Sequence, residues 1–388
     1  MDLVITASEL YTPLERVELP LVFIEDGVIA DIGSLESRET PSGVRLIDLG
    51  DTCLVPGFID IHIHGGAGHD VMESDPGALY AVEQLLHQHG VTSYFPTTVT
   101  APFDQTLGAL ERLADAIESS GGVSSQGVLR ARPVGIHLEG PFISHVRRGV
   151  HPPASILPPT LETFEKFWEA SRGCIKMMTI APELEGARAV IAEATSRGVC
   201  VSIGHSDADL KAAQGGVAAG ARHATHVFNA MRPLDHRDPG ILGVVLMDER
   251  LSAEIIADGI HVDPLMVQLF LKVKGADAAV LVTDGTSATG MPNGRYRLGS
   301  LDVEVRDGKC MADGKLAGSV LSMDKAVQNV VKFANWDLQQ AVRLATLNPA
   351  RTVGLSNAGK LAPGGVADIV ALGLGGEVRK TIVRGQVV

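Results

Sequence analysis

VPGFIDIHIHG, residues 55–65, decides the reading of this chain. An isoleucine-rich run passes into strict alternation. Asp60, His62 and His64 therefore fall on one face and Ile59, Ile61 and Ile63 on the other, as the two-residue repeat of a strand requires. Two imidazoles on one face, followed by Gly65 and Gly66, can reach a single metal ion at the mouth of a sheet or barrel. Imidazole binds zinc, iron, nickel and copper, and spacing alone does not choose among them. The competing reading is two unrelated histidines on a half-buried strand.

Outward from this stretch, composition narrows the classes. The chain has 388 residues, 45% hydrophobic and 20% charged, enough for a large core or two domains. A net charge of −13 with scattered Lys and Arg argues against nucleic acid or an anionic membrane as the main partner. A small acidic substrate remains compatible, because a few local cations suffice to hold one. The first twenty residues lack a basic segment followed by an apolar run, so no signal peptide is expected. No apolar stretch approaches the length of a membrane span. Cys53, Cys174, Cys200 and Cys310 lie far apart, which suits thiols in a reducing compartment. A soluble, cytoplasmic protein is expected.

Residues 1–54 read as short strands and tight turns, with strands at 21–24, 28–32 and 44–49 and a turn at Glu25-Asp26-Gly27. Residues 358–388 share that texture, with strands at 367–372 and 379–383. Neither end can bury a core alone; together they are expected to form a small β-sandwich domain. Between them, residues 55–357 alternate strand and helix. Apolar runs at 58–64, 91–97, 133–139, 175–181, 199–205, 223–229, 253–260 and 279–283 make eight strands. Helical spacing appears at 104–119, with Asp104 as its expected cap, and at 184–197, 208–219, 324–334 and 338–347. This order predicts an α/β fold, a (β/α)₈ TIM-like barrel. A doubly wound sheet would need a GxGxxG after its first strand, and none is present. Residues 295–319, with Asp-Gly turns at 307–308 and 313–314, read as an inserted hairpin.

Barrel enzymes keep their chemistry at the C-terminal ends of the strands. Those ends carry His62 and His64 (strand one), Glu139 (three), His205 (five), His226 (six) and Asp284 (eight). Four imidazoles and two carboxylates at one edge are hard to explain as core filling, because such groups are seldom buried without partners. The pattern points to a metal-dependent hydrolase. His137 lies about 7 Å deeper than Glu139 and suits a supporting role. His223 is expected on the face opposite His226, and Glu183 as a possible loop ion-pair partner. Lys176, at the start of its strand, is on the wrong side for chemistry. His87, His89, His145 and His236 are expected at the surface or in loops.

At larger scale the chain resembles the N-acetylglucosamine-6-phosphate deacetylase family of the amidohydrolase superfamily. The matching motifs are PGFIDIHIHG at 56–65, HLEGPF at 137–142, RRGVHPP at 147–153, GHSDA at 204–208 and THVFNAM at 225–231. RDPG at 237–240, DGIH at 258–261, TDGTSATG at 283–290 and LAGS at 316–319 complete the set, and the tail GKLAPGGVADIVAL is similar to amidohydrolase C-termini. The resemblance implies that Glu139, His205 and His226 hold a divalent metal, zinc or iron. His62 and His64 would allow a second ion, so one or two per subunit. It implies Asp284 as general acid/base and His151 as the group that positions the sugar and polarises the amide. Val150, Asn229, Ala230, Arg237, Asp258, His261, Leu316, Ala317, Gly318 and Ser319 would join His151 in binding a phosphorylated amino sugar. It further implies a homodimer in which Arg237 reaches a partner's pocket; spacing alone would instead pair Arg237 with Asp235 or Asp238. The alternatives are an amidohydrolase of an N-acyl-D-amino acid or cyclic amide, and a non-catalytic binding protein on the same scaffold.

Overall fold

A computed structural model describes residues 3–12, 15–39, 43–120 and 128–387. Its centre is the sheet expected from the alternating pattern. The eight strands are Phe58–Ile63, Val91–Thr98, Ile136–Glu139, Ile175–Ile180, Cys200–Ile203, His223–Ala224, Ser252–Ile255 and Ala279–Leu281. They pair in chain order, every pair parallel, and the short segment Arg132–Pro133 runs beside the second. The first strand meets the last through a parallel bridge between Ile63 and Gly285 and through Asp284 N–H donating to His62 C=O at 2.9 Å. The barrel is thus nearly closed. Helices such as Pro76–Gln88, Phe103–Ser119 and Ala187–Ser196 cover its outside, and their buried faces join one core with the strands.

Several element boundaries differ from expectation, each for a local reason. Strand six stops at Ala224, not at residue 229, because His226, Phe228 and Ala230 take positive φ (25°, 78° and 50°) and break the extended run. The helix 103–119 starts one residue early. Pro102 occupies its cap position and Asp104 lies within the first turn, where a carboxylate favours the helix dipole without capping it. Asp209, in contrast, caps Leu210–Ala219 by accepting from Ala212 N–H at 2.8 Å, and Gly220 ends that helix. The insertion is a four-stranded antiparallel meander, not a single hairpin: Gly294–Leu298, Leu301–Arg306, Lys309–Ala312 and Lys315–Leu316. Both Asp-Gly pairs turn with positive φ at each residue, the geometry that suits a two-residue hairpin.

The two ends of the chain do combine. One sheet orders strands Val28–Ser34, Pro20–Glu25, Leu3–Thr6 and Arg45–Asp48. The other orders Val378–Ile382, Ile369–Leu372, Cys53–Pro56, Glu9–Tyr11 and Arg16–Glu18. Leu3, Ile5, Val22 and Ile24 from the first share a core with Leu10, Leu54, Ile369 and Ile382 from the second. No helix among the described residues is long and apolar enough to cross a membrane.

Barrel and terminal sheets are joined by a buried ion pair. Arg132 Nη2 donates to Asp368 Oδ2 at 2.7 Å, and Asp368 Oδ1 also accepts Arg384 N–H at 2.8 Å. Both partners are almost fully buried. Removing one leaves a charge in the interior without its counterpart, so Arg132→Met should lower unfolding free energy by about 3–5 kcal/mol. Urea denaturation reads this directly. A loss below ~1 kcal/mol would show that the pair contributes little to the joint.

Candidate active site

Strand one, buried on every residue, sends His62 and His64 into the barrel mouth from the same face. Glu139 ends strand three, while His205, His226 and Asp284 follow strands five, six and eight with positive φ of 46°, 25° and 50°. Those sharp departures turn three side chains back over the barrel axis. Gly285 helps at the last of them: its N–H is taken by Thr283 Oγ1 at 3.1 Å.

The six side chains converge. Glu139 Oε1 lies 3.2 Å from His226 Nε2, 3.3 Å from His205 Nε2 and 3.4 Å from His62 Nε2. His64 Nε2 lies 3.1 Å from Asp284 Oδ1 and 3.4 Å from Glu139 Oε2. His205 and His226 bring their Nε2 atoms within 3.1 Å of each other. Ligands about 2.0–2.1 Å from a tetrahedral zinc stand roughly 3.4 Å apart, so this spacing suits neighbouring ligand atoms. His62 Nε2 is buried and makes no hydrogen bond. The donor set fits a divalent cation.

Hydrogen bonds on the far ring nitrogens separate ligands from donors. His62 Nδ1 faces Glu254 Oε2 at 2.9 Å, His64 Nδ1 faces Thr97 O at 3.0 Å and His205 Nδ1 faces Arg147 O at 3.0 Å. Carboxylates and carbonyls only accept, so each of these Nδ1 atoms carries a proton and each neutral ring turns a lone pair inward. His151 is the reverse. Its Nδ1 accepts Thr100 N–H at 3.3 Å and lies 2.8 Å from Thr100 Oγ1. The proton of neutral His151 is therefore on Nε2, which faces Glu139 Oε2 at 3.4 Å. His151 stands close enough to Glu139 and His205 to look like a third ligand, but its protonation makes it a hydrogen-bond donor.

Charge balance follows from burial. Burial opposes ionisation of Glu139, but the imidazoles of His62 and His205 outweigh it and hold the carboxyl below its usual range. Asp284 is similarly disfavoured by burial yet lowered to about 2, chiefly by its hydrogen bond with His64 and the charge of His62. Burial works against a charged His64, and hydrogen bonds to Asp284 and Glu139 reverse this, raising it to about 10. Burial dominates at His205, which falls to about 4.

Around this centre the pocket is lined by Val150, His151, Asn229, Ala230, His261, Leu316 and Gly318 from the expected set, and also by Val99, Gly149 and Leu298. Three expected residues stand behind that lining. Asp258 Oδ2 holds His261 Nδ1 at 2.7 Å, Ala317 packs in the core of the meander, and Ser319 Oγ donates to Thr283 O at 2.6 Å. Arg237 is exposed and outside the pocket; Asp238 is paired with Arg232, and Asp235 accepts the Arg237 backbone N–H at 2.8 Å.

The remaining histidines follow expectation in part: His137, His145 and His236 do, His87 and His223 do not. His137 is buried between Ile61 O (3.1 Å) and Thr179 Oγ1 (2.8 Å). His223, expected on the opposite face, is drawn into the same buried network as His62. His87 lies in the helix Pro76–Gln88 and is half-buried, so it is neither exposed nor in a loop; half-buried His89 sits in the turn after that helix, as expected of a loop residue, and pairs with Asp324 at 3.0 Å. His145 and His236 are exposed. Glu183 makes no ion pair among the described residues; it accepts from Ser206 Oγ and Asp207 N, both at 2.7 Å, and so steadies the loop behind His205. Sequence reasoning missed Glu254, whose only signal is an acidic residue at an alternating position of an apolar strand. Asp60 shares the face of His62 and His64, but the sequence alone suggests no role for it. Its Oδ2 accepts Thr283 Oγ1 at 2.6 Å and ties strand one to strand eight.

A nearly closed parallel barrel with imidazoles and carboxylates converging at its C-terminal mouth defines a hydrolase barrel of the amidohydrolase type. The amidohydrolase family model matches residues 53–388. An N-acetylglucosamine-6-phosphate deacetylase from Lysinibacillus sphaericus is 36% identical over 94% of this chain and 92% of its own length. An N-acetylgalactosamine-6-phosphate deacetylase from Escherichia coli O157:H7 is also 36% identical, over 94% and 93%. The solved N-acetyl-D-glucosamine-6-phosphate deacetylase of Mycobacterium smegmatis, a mutant in complex with N-acetyl-D-glucosamine-6-phosphate, superposes with a TM-score of 0.91. It is 33% identical, and the match covers 99% of this chain and 98% of that one. The chain belongs to the amidohydrolase family and, within it, to the N-acetylglucosamine-6-phosphate deacetylases.

Metal must compete with protons here. An imidazole raised to about 10, such as His64, is protonated at neutral pH and must lose that proton before it can bind a cation. Affinity for an ion that uses His64 should therefore increase as pH rises from about 6 to about 8, with protons released on binding. Calorimetric titration in two buffers of different ionisation enthalpy measures that release. Affinity independent of pH over this range would contradict the charge balance described above.

Proposed function

We propose that this chain hydrolyses the acetamide of N-acetyl-D-glucosamine 6-phosphate to D-glucosamine 6-phosphate and acetate. The observation that carries the reading is Asp284, an ionised carboxylate beside converging ligand nitrogens, in a pocket that also contains His151 and His261. A divalent ion held by Glu139, His205 and His226, with His62 and His64 available for a second, would polarise the amide and lower the pKa of water to about 7.

The protein's own groups supply the rest. Asp284 is ionised at neutral pH and takes the proton of the attacking water. It returns that proton to the departing amine nitrogen, so one carboxylate serves both steps. His151 offers Nε2–H to the acetamide oxygen, its ring held by Thr100. His261, held through Nδ1 by Asp258, presents its other nitrogen to the pocket as a partner for a phosphate oxygen. The side chain of Arg237 has no hydrogen-bond or ion-pair partner among the described residues, and we assign it to a phosphate in the pocket of a second subunit. Guanidinium suits that duty because it makes paired, charge-assisted bonds.

A second substrate has specific support. The relative named for N-acetylgalactosamine 6-phosphate matches this chain at the same 36% identity as one named for the glucosamine epimer. Acetate release from both epimers, each with and without its phosphate, separates the readings. The glucosamine 6-phosphate derivative should be the preferred substrate; preference for its epimer would reassign the sugar, and no release from any would overturn the proposal.

Two variants test the assigned roles. Asp284→Asn should keep the fold and most of the metal yet lose at least ~10²-fold in turnover, the low end for general acid–base catalysis. Near-normal turnover would remove Asp284 from proton transfer. Arg237→Ala should lower kcat/KM by about 10- to 150-fold on the phosphorylated sugar and leave the plain sugar nearly unchanged. Equal losses on both would assign Arg237 to structure.

A further inference from the structure

Glu254 is a fully buried carboxylate on strand seven, and three donors from two other strands and the loop beyond them point at it. Its Oε2 faces His62 Nδ1 at 2.9 Å and accepts the backbone N–H of His226 at 3.1 Å. Its Oε1 faces His223 Nε2 at 3.2 Å. An ionised carboxylate has no proton to give, so each of these contacts has one possible direction. His62 carries its proton on Nδ1, and His223 on Nε2. The other nitrogen of His223 lies 2.6 Å from Ser252 Oγ, which also reaches Arg222 O at 3.3 Å and stands 3.1 Å from Thr352 Oγ1. Glu254 thus accepts from both sides, from His223 on one and from His62 and the His226 backbone on the other, and the inward end of the network is His62 Nε2, buried and without a hydrogen bond.

We propose that Glu254 is the positioning residue of the metal centre: it locks His62 in the one neutral tautomer that can bind a cation, and ties His226 into the same frame. The inference rests on the metal-hydrolase reading and deepens it. Glu254 touches no substrate. It acts through two candidate ligands at once, one on strand one and one after strand six, which makes the geometry of both depend on a single side chain. His64 and His205 are oriented differently, by backbone carbonyls that no side-chain substitution removes.

Glu254→Gln tests this with little change of shape. The amide has one acceptor oxygen and one NH2 group, so it can no longer accept from both His62 and His223, and one of these rings must give up its present tautomer. Zinc affinity, measured by competition with a fluorescent chelator, should fall about 10- to 100-fold, the usual cost of losing a partner behind a ligand. In a His62→Ala background the same substitution should cost clearly less than in the wild type, because the part of its effect that runs through His62 is already gone and only the contact with His226 remains. Circular dichroism and thermal melting establish that each variant is folded. Should Glu254→Gln be recovered only as aggregate, Glu254→Asp keeps the acceptors, withdraws them by one methylene and should give a smaller but measurable weakening. Wild-type affinity in a folded Glu254 variant, or equal losses in both backgrounds, overturns the positioning role alone. Failure of the wild-type chain itself to bind zinc or iron overturns the metal reading beneath it.

Discussion

Closure between the first and last barrel strands is the constraint on which the site depends. Asp60 takes the hydroxyl of Thr283, Asp284 N–H reaches His62 C=O, and His64 N–H and Gly65 N–H both reach Gly285 C=O. These bonds bring residue 62 beside residue 284, so that the imidazoles of strand one and the carboxylate after strand eight share one space. An open sheet of the same eight strands would leave those groups at opposite edges. Parallel pairing contributes a second requirement, because it sets every C-terminal strand end on the same side.

Once the groups converge, their electrostatics are mutually dependent. Burial disfavours each carboxylate and each imidazolium singly, and the contacts among them reverse that preference for Glu139, Asp284, His62 and His64. His205 and His137, with less compensation, are held neutral by burial. The centre therefore alternates between protons and a cation as the balancing charge. Which nitrogen of His62, His64, His205 and His151 faces inward is settled behind the ring, by Glu254, Thr97, Arg147 and Thr100 respectively.

The pocket above is assembled from parts that the barrel alone does not supply. The meander 294–316 contributes Leu298 and Leu316, and packs its own small core of Val303, Val305, Cys310 and Ala312 beneath them. Loops after strands three, six and seven add His151, Asn229 and His261. Irregular backbone is concentrated there, with positive φ at His226, Phe228 and Ala230. Loops on a rigid scaffold can carry such conformations because the strands below absorb the strain.

Sequence alone determined the repeating strand-and-helix order, the face shared by His62 and His64, and the residues that end strand three or follow strands five, six and eight. All are properties of near neighbours, set by a period of two or of 3.6 residues and by glycine and turn chemistry. It also marked the two terminal segments as strand-forming pieces too short to fold alone. The tertiary structure decided what neighbours cannot encode. Glu254 reads locally as an acidic residue in an apolar strand, and becomes the support of His62 across 192 positions of chain. His151 reads as one of many loop histidines until Thr100, 51 residues away, fixes its proton. Asp104 reads as a cap, yet Pro102 takes the position because its own backbone geometry already suits it. A side chain's local pattern states which face it occupies; its protonation and its partner depend on which distant strand closes against that face.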